Sequence, residues 1–415
     1  MLPVVIVGAG AAGLVAAACA AQRDSVVVIE RTTDGGRKIL ISGGGRCNIL
    51  PCTLEPERFV TDSSTHLLRG MLRAWPLTAQ RSFFERDVGI PLKLESETGK
   101  LFPVSNRARD VRDGLVSLAR KRGAQFRYNT SLTGLTPTRD GWHVATSGGA
   151  IIARAVVLAT GGLSVPTTGS DGTGLQVVED LGHLVRDTYP ALTPLTATAA
   201  PHASLAGLAL KVRLRAKWRG RSTTSAGGFL FTHRGYSGPS VLDASHIAVR
   251  SRLSGGPSED PGVLRVSWSE QDADEWQREL AGASGLVVSA VARHLPRRLA
   301  QHLVVGAGLP ADRRTAELRR GERIALVDAL TAFVLPWTGD EGYAKAEVTG
   351  GGVALDDVNR QTLESRRHPG LFLCGELLDA FGPIGGHNFA WAWATGRAAG
   401  LGATRESLVE KTAHL

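Results

Sequence analysis

The run Pro3-Val4-Val5-Ile6-Val7, followed at once by Gly8-Ala9-Gly10-Ala11-Ala12-Gly13, constrains this chain more than any other feature. A short β-branched run of this kind reads as a strand buried on both faces. The Ala-rich stretch Leu14 to Gln22 reads as a helix, and Val26-Val27-Val28-Ile29-Glu30 as a second buried strand. The first glycine permits a tight turn, the second lets the backbone approach a pyrophosphate, and the third lets the helix pack closely on the sheet. The helix start then offers free N–H groups and a positive dipole end to phosphates. Glu30 ends the second strand, where a carboxylate accepts hydrogen bonds from both ribose hydroxyls of an adenosine. The same charge disfavours a 2′-phosphate there. The unit predicts a dinucleotide held by Gly8, Gly10, Ala11, Ala12, Gly13, Glu30 and Arg31.

The motif alone does not separate NAD from FAD, and two later segments point to FAD. Ile151 to Ala159 reads as a strand running into Thr160-Gly161-Gly162, the kind of Gly-rich exit that lets the backbone pass close to a ligand. Such a strand closes an FAD-binding domain after an inserted β-meander, in which Leu132 lies. Near the other end, Leu371-Phe372-Leu373-Cys374 runs into Gly375-Glu376. The Gly-rich loop ending Gly385-Gly386 then opens a helix at His387-Asn388-Phe389. An acid there can hold ribityl hydroxyls, and a helix start can face flavin N1 and O2, where negative charge grows on reduction.

Between these ends the texture changes. After Pro190-Ala191-Leu192-Thr193-Pro194, strand patterns at Leu208 to Trp218 and Gly228 to Thr232 belong to a less regular domain. The stretch from Gln271 to Phe333 is helical, with breaks near Pro296 and Gly306 to Pro310. A linker-like run, G-G-P-S-E-D-P-G, occupies 255–262. A chain of 415 residues exceeds what one compact core usually takes.

The formal charge is +9, from 48 Lys plus Arg against 39 Asp plus Glu. The cations are scattered. The densest runs, Arg120-Lys121-Arg122 and Arg297-Arg298, lack the interleaved aromatics of a single-strand binder, so no nucleic-acid partner is expected. Four cysteines give no C-x-x-C pair, so neither a metal set nor a disulfide framework is expected, and a reduced, cytoplasmic chain fits. The apolar start lacks a positive n-region, and no uninterrupted apolar run is long enough to span a membrane.

Seven segments keep one order from end to end. They are G-A-G-A-A-G-L (8–14), G-R-K-I-L-I-S-G-G-G-R-C-N (36–48), T-G-K-L-F-P-V-S (98–105), L-A-T-G-G-L-S-V-P-T-T-G-S-D-G-T-G (158–174), T-H-R-G-Y-S-G-P-S-V-L (232–242), T-G-G-G-V-A-L (349–355) and C-G-E-L-L-D-A-F-G-P-I-G-G-H-N-F-A-W-A-W-A-T-G (374–396). In these the chain resembles the bacterial NAD(P)/FAD-dependent oxidoreductases of the aminoacetone-oxidase-like and bile-acid-intermediate-reductase-like kind. The resemblance implies a mixed α/β fold: a Rossmann-like FAD-binding domain of glutathione-reductase type with an inserted β-rich domain carrying a small helical subdomain. Its boundaries fall at 1–190, 191–268, 269–335 and 336–415. It also places Lys38, Arg46, Cys47 and Asn48 beside the cofactor. One departure is His387-Asn388-Phe389-Ala390, where the family usually has Tyr, then Asn-Leu-Gln. His387 is then either a proton donor or a replacement for the aromatic.

The expected activity is hydride transfer between FAD and a small organic substrate, with NAD(P)H or O₂ as second partner. Two other readings are a disulfide reductase using Cys47 and Cys52, and a flavin-containing redox sensor without turnover. The first lacks a second G-x-G-x-x-G, and Pro51 opposes a helix across the pair. No catalytic residue is assigned. His233, Tyr236 and Ser237 form a polar loop that either faces the flavin or marks only a turn.

Overall fold

The computed structural model describes residues 2–197, 202–253 and 262–404. It divides into two compact units, residues 1–190 with 347–415 and residues 191–346.

The first unit is built on a parallel sheet of β1 (Val4–Val7), β2 (Val26–Ile29), β3 (Gln125–Arg127), β4 (Ala155–Leu158) and β5 (Leu371–Leu373), in the order β5-β4-β1-β2-β3. Every residue of β1, β2, β4 and β5 is buried, as apolar runs covered on both faces must be. The chain leaves β1 toward β2 on one side, while β4 pairs on the other. The carboxyl end of β1 is therefore a topological switch point, the place where open α/β sheets bind ligands.

Two helices meet over this sheet: α1 (Ala11–Ala20) and α2 (His387–Gly402). A Cβ on Gly396 would lie 2.3 Å from the Ala12 carbonyl oxygen, and one on Gly400 would lie 2.4 Å from that of Ala16. Small residues four apart on both helices let the backbones touch. That contact brings segments nearly 400 residues apart in the sequence to one place.

The expected strand from Ile151 to Ala159 is two strands. Ile151–Ala153 pairs antiparallel with Gly141–Thr146 in a meander, and Ala155–Leu158 is β4 of the main sheet. The break falls at Arg154, which is anchored at three points: its N–H donates to the Pro3 carbonyl, and its guanidinium reaches Asp24 at 2.6 Å and the Ala403 carbonyl at 2.8 Å. A polar side chain tied down in this way ends an apolar run that continues in the sequence.

The second unit holds a seven-stranded antiparallel sheet among the described residues, with Ala209–Trp218 and Arg221–Phe231 as its longest pair. The helices Ala273–Gly282, Val287–Val291, Arg297–Gly306 and Arg320–Thr331 share one hydrophobic core with it, including Phe229, Phe231, Trp268, Trp276 and Leu299. Of the linker-like run, 255–261 lies outside the described residues. Among the described residues, no helix is long and apolar enough to cross a membrane.

Candidate cofactor site

The carboxyl ends of four adjacent strands open into one cleft of about 640 Å³ in the first unit. Gly8 leaves β1, Glu30 leaves β2, Ala159, Thr160 and Gly161 leave β4, and Gly375 follows β5; all line it. The volume lies within the roughly 300–1,000 Å³ of small-molecule and cofactor pockets.

The three motif glycines have three separate physical reasons. Gly8 has φ of +100°, and a Cβ there would sit 2.6 Å from the Ala159 carbonyl oxygen. A Cβ on Gly13 would sit 1.9 Å from the Gly8 carbonyl oxygen, so this glycine serves the packing of α1. A Cβ on Gly10 would meet nothing within 4 Å and would project into the cleft. Its absence keeps a cradle open for a ligand.

Both helices begin without a side-chain cap and with no acid in the first turn. Their first N–H groups, which helix geometry leaves unpaired, are free to bind a ligand. Gly386, Asn388 and Phe389 line the cleft at the start of α2, as Gly10, Ala11 and Ala12 do at the start of α1. The Asn388 amide is committed to the loop: its Oδ1 accepts from the Gly382 N–H at 2.9 Å and its Nδ2 donates to the Gly382 carbonyl at 2.9 Å.

Glu30 is buried, and three of its acceptor positions are used. Oε2 accepts from the Ala9 N–H at 2.8 Å, and Oε1 accepts from the Thr32 N–H at 2.9 Å and the Thr32 hydroxyl at 2.7 Å. A carboxylate offers about four such positions, which leaves about one for a ligand in the cleft that Glu30 lines. Its neighbour Arg31 pairs with Asp171, so its charge is partly neutralised.

Lys38 and Glu376 form the polar centre. Lys38 Nζ lies 2.8 Å from Glu376 Oε2 and donates to Ser164 Oγ at 2.6 Å. Glu376 Oε1 accepts from Ser164 Oγ at 2.6 Å, the Thr349 N–H at 3.0 Å and the Thr349 hydroxyl at 2.9 Å. Burial pushes the Glu376 carboxyl up, but Lys38 and these hydroxyls outweigh it and hold the group below the ordinary glutamate value.

Asn48, Lys38, Arg31 and Leu132 line the cleft; Gly13, Arg46, Cys47 and His387 do not. Arg46 reaches outward, pairing with Glu95 at 3.0 Å and stacking 4.2 Å over the Phe102 ring. The Cys47 thiol is wholly buried and pushed up to about 12, so the thiolate that disulfide exchange requires is not available. His387 is buried edge-on against Phe59. Burial, then the Arg58 charge, push its pKa down to about 4, so it is neutral at pH 7. Tyr236 belongs to the core of the second unit, where burial raises its phenol, while His233 is exposed. Ser164, Thr349 and the cleft-lining Lys100 are not distinguished as site residues by the sequence alone. Serines and threonines are too common to carry a signal, and Lys100, on the short strand Lys100–Pro103, meets the cleft only through the fold.

A flavin dinucleotide fits these residues. Gly10 leaves room for the pyrophosphate, and the Asn48 Oδ1, buried at the cleft without a hydrogen-bond partner, suits the ring's N–H donor.

The chain is similar to curated proteins over nearly its whole length. It is 32 % identical over 397 residues to a ribosomal RNA dihydrouridine synthase of Escherichia coli (strain K12), covering 94 % of this chain and 95 % of that protein. It is 28 % identical over 409 residues to a 3-dehydro-bile acid delta(4,6)-reductase of Clostridium scindens, covering 96 % and 98 %. Among solved structures, a 3-ketosteroid-delta4-(5alpha)-dehydrogenase from Rhodococcus jostii RHA1 shares the fold, with a TM-score of 0.50, 16 % identity and coverage of 97 % and 96 %. The family model described as HI0933-like protein Rossmann domain matches residues 2–402. The chain belongs to the HI0933-like family of FAD-binding Rossmann flavoprotein oxidoreductases.

Proposed function

We propose that this chain adds two hydrogens across a carbon–carbon double bond conjugated to a ring carbonyl, with NAD(P)H as the source of electrons and O₂ as a competing acceptor. When bound and reduced, FAD would supply the hydride required at the carbon remote from the carbonyl, and a proton would be required at the other carbon. The observation that carries this reading is the convergence of two uncapped helix starts on one cleft. The start of α1 would hold the phosphates, and the start of α2 would stabilise negative charge at the ring end. Lys38, on the short helix Arg37–Ile41 and fixed by Glu376 and Ser164, holds the segment 36–48 against the wall of the cleft.

The relatives support the same chemistry. By its name one makes dihydrouridine, a uracil ring reduced at the double bond next to its carbonyl, and the other reduces delta(4,6) bonds of a 3-dehydro bile acid. A second relative named as a ribosomal RNA dihydrouridine synthase, from Haemophilus influenzae, is 30 % identical over 409 residues. We take a uracil base in RNA as the substrate.

The test is anaerobic reduction of the purified holoprotein by NADH or NADPH, followed by addition of an in vitro transcribed ribosomal RNA or a 3-oxo-Δ4 steroid. Reoxidation by the RNA, with two hydrogens gained by a uridine, supports the reading. Reoxidation by the steroid alone moves the substrate to small molecules. Flavin that reoxidises only in air contradicts a reductase and favours an oxidase.

A further inference from the structure

Between Asp187 and Asp243 the chain carries no acidic residue, yet it holds seven Lys or Arg. Four of these, Lys211, Arg213, Arg215 and Lys217, alternate with the buried Val212, Leu214 and Ala216 along one strand. Side chains two apart on a strand share a face, roughly 7 Å from one to the next. The fold therefore lines up four exposed cations on the outer face of the second unit's sheet. Arg265 on the neighbouring strand stands directly opposite Arg215 and adds a fifth. Among the described residues none of the five forms an ion pair with a carboxylate. Like charges at such spacing repel, so a row of this kind costs stability unless something outside the chain uses it.

The rest of the face narrows the partner. Opposite Lys217, Arg215, Arg213 and Lys211 stand Ser222, Thr224, Ala226 and Gly228. These small side chains give low relief, and two of them add hydroxyl donors for phosphate oxygens. Among the described residues the face carries no aromatic ring on which unpaired bases could stack, so it suits a backbone rather than splayed bases. Its exposed apolar side chains, Val263 and Val334, are too few to anchor in lipid.

We propose that this sheet face, centred on Arg213, Arg215 and Lys217, docks the phosphate backbone of structured RNA. The inference rests on the reading above that the reduced base belongs to an RNA, and it assigns the phosphate contacts to residues outside the cofactor unit.

The test measures binding of a fluorescently labelled, in vitro transcribed ribosomal RNA hairpin to the full-length holoprotein over a range of salt. One variant is the triple Arg213→Gln, Arg215→Gln, Lys217→Gln. Its control is Arg109→Gln, Lys121→Gln, Arg139→Gln, which removes the same charge from exposed positions of the first unit. All five stripe residues are exposed, and thermal melting with flavin content checks that both variants fold. The wild type should lose affinity with salt at a log–log slope of roughly −3 to −5. The stripe variant should bind at least about tenfold more weakly, with a slope shallower by about 3, while the control changes little. Equal binding by the wild type and the stripe variant overturns the proposal, as does an equal loss in the control. Binding of the wild type to phosphatidylglycerol vesicles but not to the hairpin also overturns it. Reduction of a uridine in the same ribosomal RNA by the wild type, at RNA concentrations that saturate binding, separates the two claims. Loss of reduction with the salt pattern intact removes the reductase reading only, and intact reduction without the salt pattern removes this surface only.

Discussion

Lys38 Nζ lies 2.8 Å from Glu376 Oε2, a contact between the short helix Arg37–Ile41 and the 3-10 turn Gly375–Leu377, 338 positions apart in the sequence. Ser164 lies against both, and Thr349 donates to the same carboxylate from a fourth segment. One ion pair with two hydroxyls thus fastens four stretches of sequence around the cleft. Both charged side chains are largely shielded from water, so removing one partner leaves the other inadequately solvated.

That relation gives the first prediction. Lys38→Met should lower unfolding free energy by about 2 kcal/mol, short of the 3–5 kcal/mol of a wholly buried pair. It should also lower flavin occupancy. Lys38→Met with Glu376→Gln should cost less than the two single changes together. Additive losses in denaturant titrations would show that the pair is not coupled.

The motif glycines should separate cleanly. Gly10→Ala places a methyl in the cleft and touches nothing in the protein, so the chain should fold and bind FAD at least about tenfold more weakly. Gly13→Ala drives a methyl into the Gly8 carbonyl and should cost about 3 kcal/mol or more, seen as a lower Tm in the flavin-free protein. Equal effects of the two on folding would contradict this division.

The crossing of α1 and α2 should be intolerant of bulk. Gly396→Ala and Gly400→Ala each force a methyl against an α1 carbonyl and should cost about 1–3 kcal/mol. Gly396→Ala is nearer the start of α2 and should also lower FAD affinity. Circular dichroism melts and flavin titration measure the two effects separately.

Acid should weaken the fold through two histidines. Burial lowers both His202 and His387 from 6.5 to about 4. Between these values the unfolded chain takes up protons that the folded chain refuses. Stability is then highest above pH 6.5 and falls as pH drops toward 4. His387→Phe removes one of the two protons and keeps an aromatic ring against Phe59, so its Tm should fall less steeply across that window. A wild-type Tm that is level from pH 6.5 to 4 would contradict the assignment.

The sequence made the local parts of the site legible and left the long-range parts hidden. Gly8, Gly10, Gly13 and Glu30 stand in one βαβ unit, where spacing along the chain fixes spacing in space. The uncapped start of α2 was legible for the same reason, since Gly385-Gly386 precede it directly. Ser164 and Thr349 were not, because a hydroxyl becomes informative only when the fold sets it beside a buried carboxylate. The break at Arg154 was hidden inside an apolar run, since its cause is Asp24 and Ala403 at distant positions. Arg46 and Cys47 sit in the same motif as Lys38 and Asn48, yet the positive φ of 55° to 83° at Gly43, Gly44 and Gly45 and of 58° at Cys47 turns the loop so that only some of its side chains meet the cleft. The cations at 211–217 read as scattered until the sheet showed that their alternation puts them on one face.

The most direct measurement is the identity and amount of chromophore released from the purified chain on denaturation. The account predicts FAD at about one per chain, taken up again when the stripped protein is titrated with FAD, and taken up poorly by Gly10→Ala. A colourless protein that binds no FAD in such a titration would contradict it.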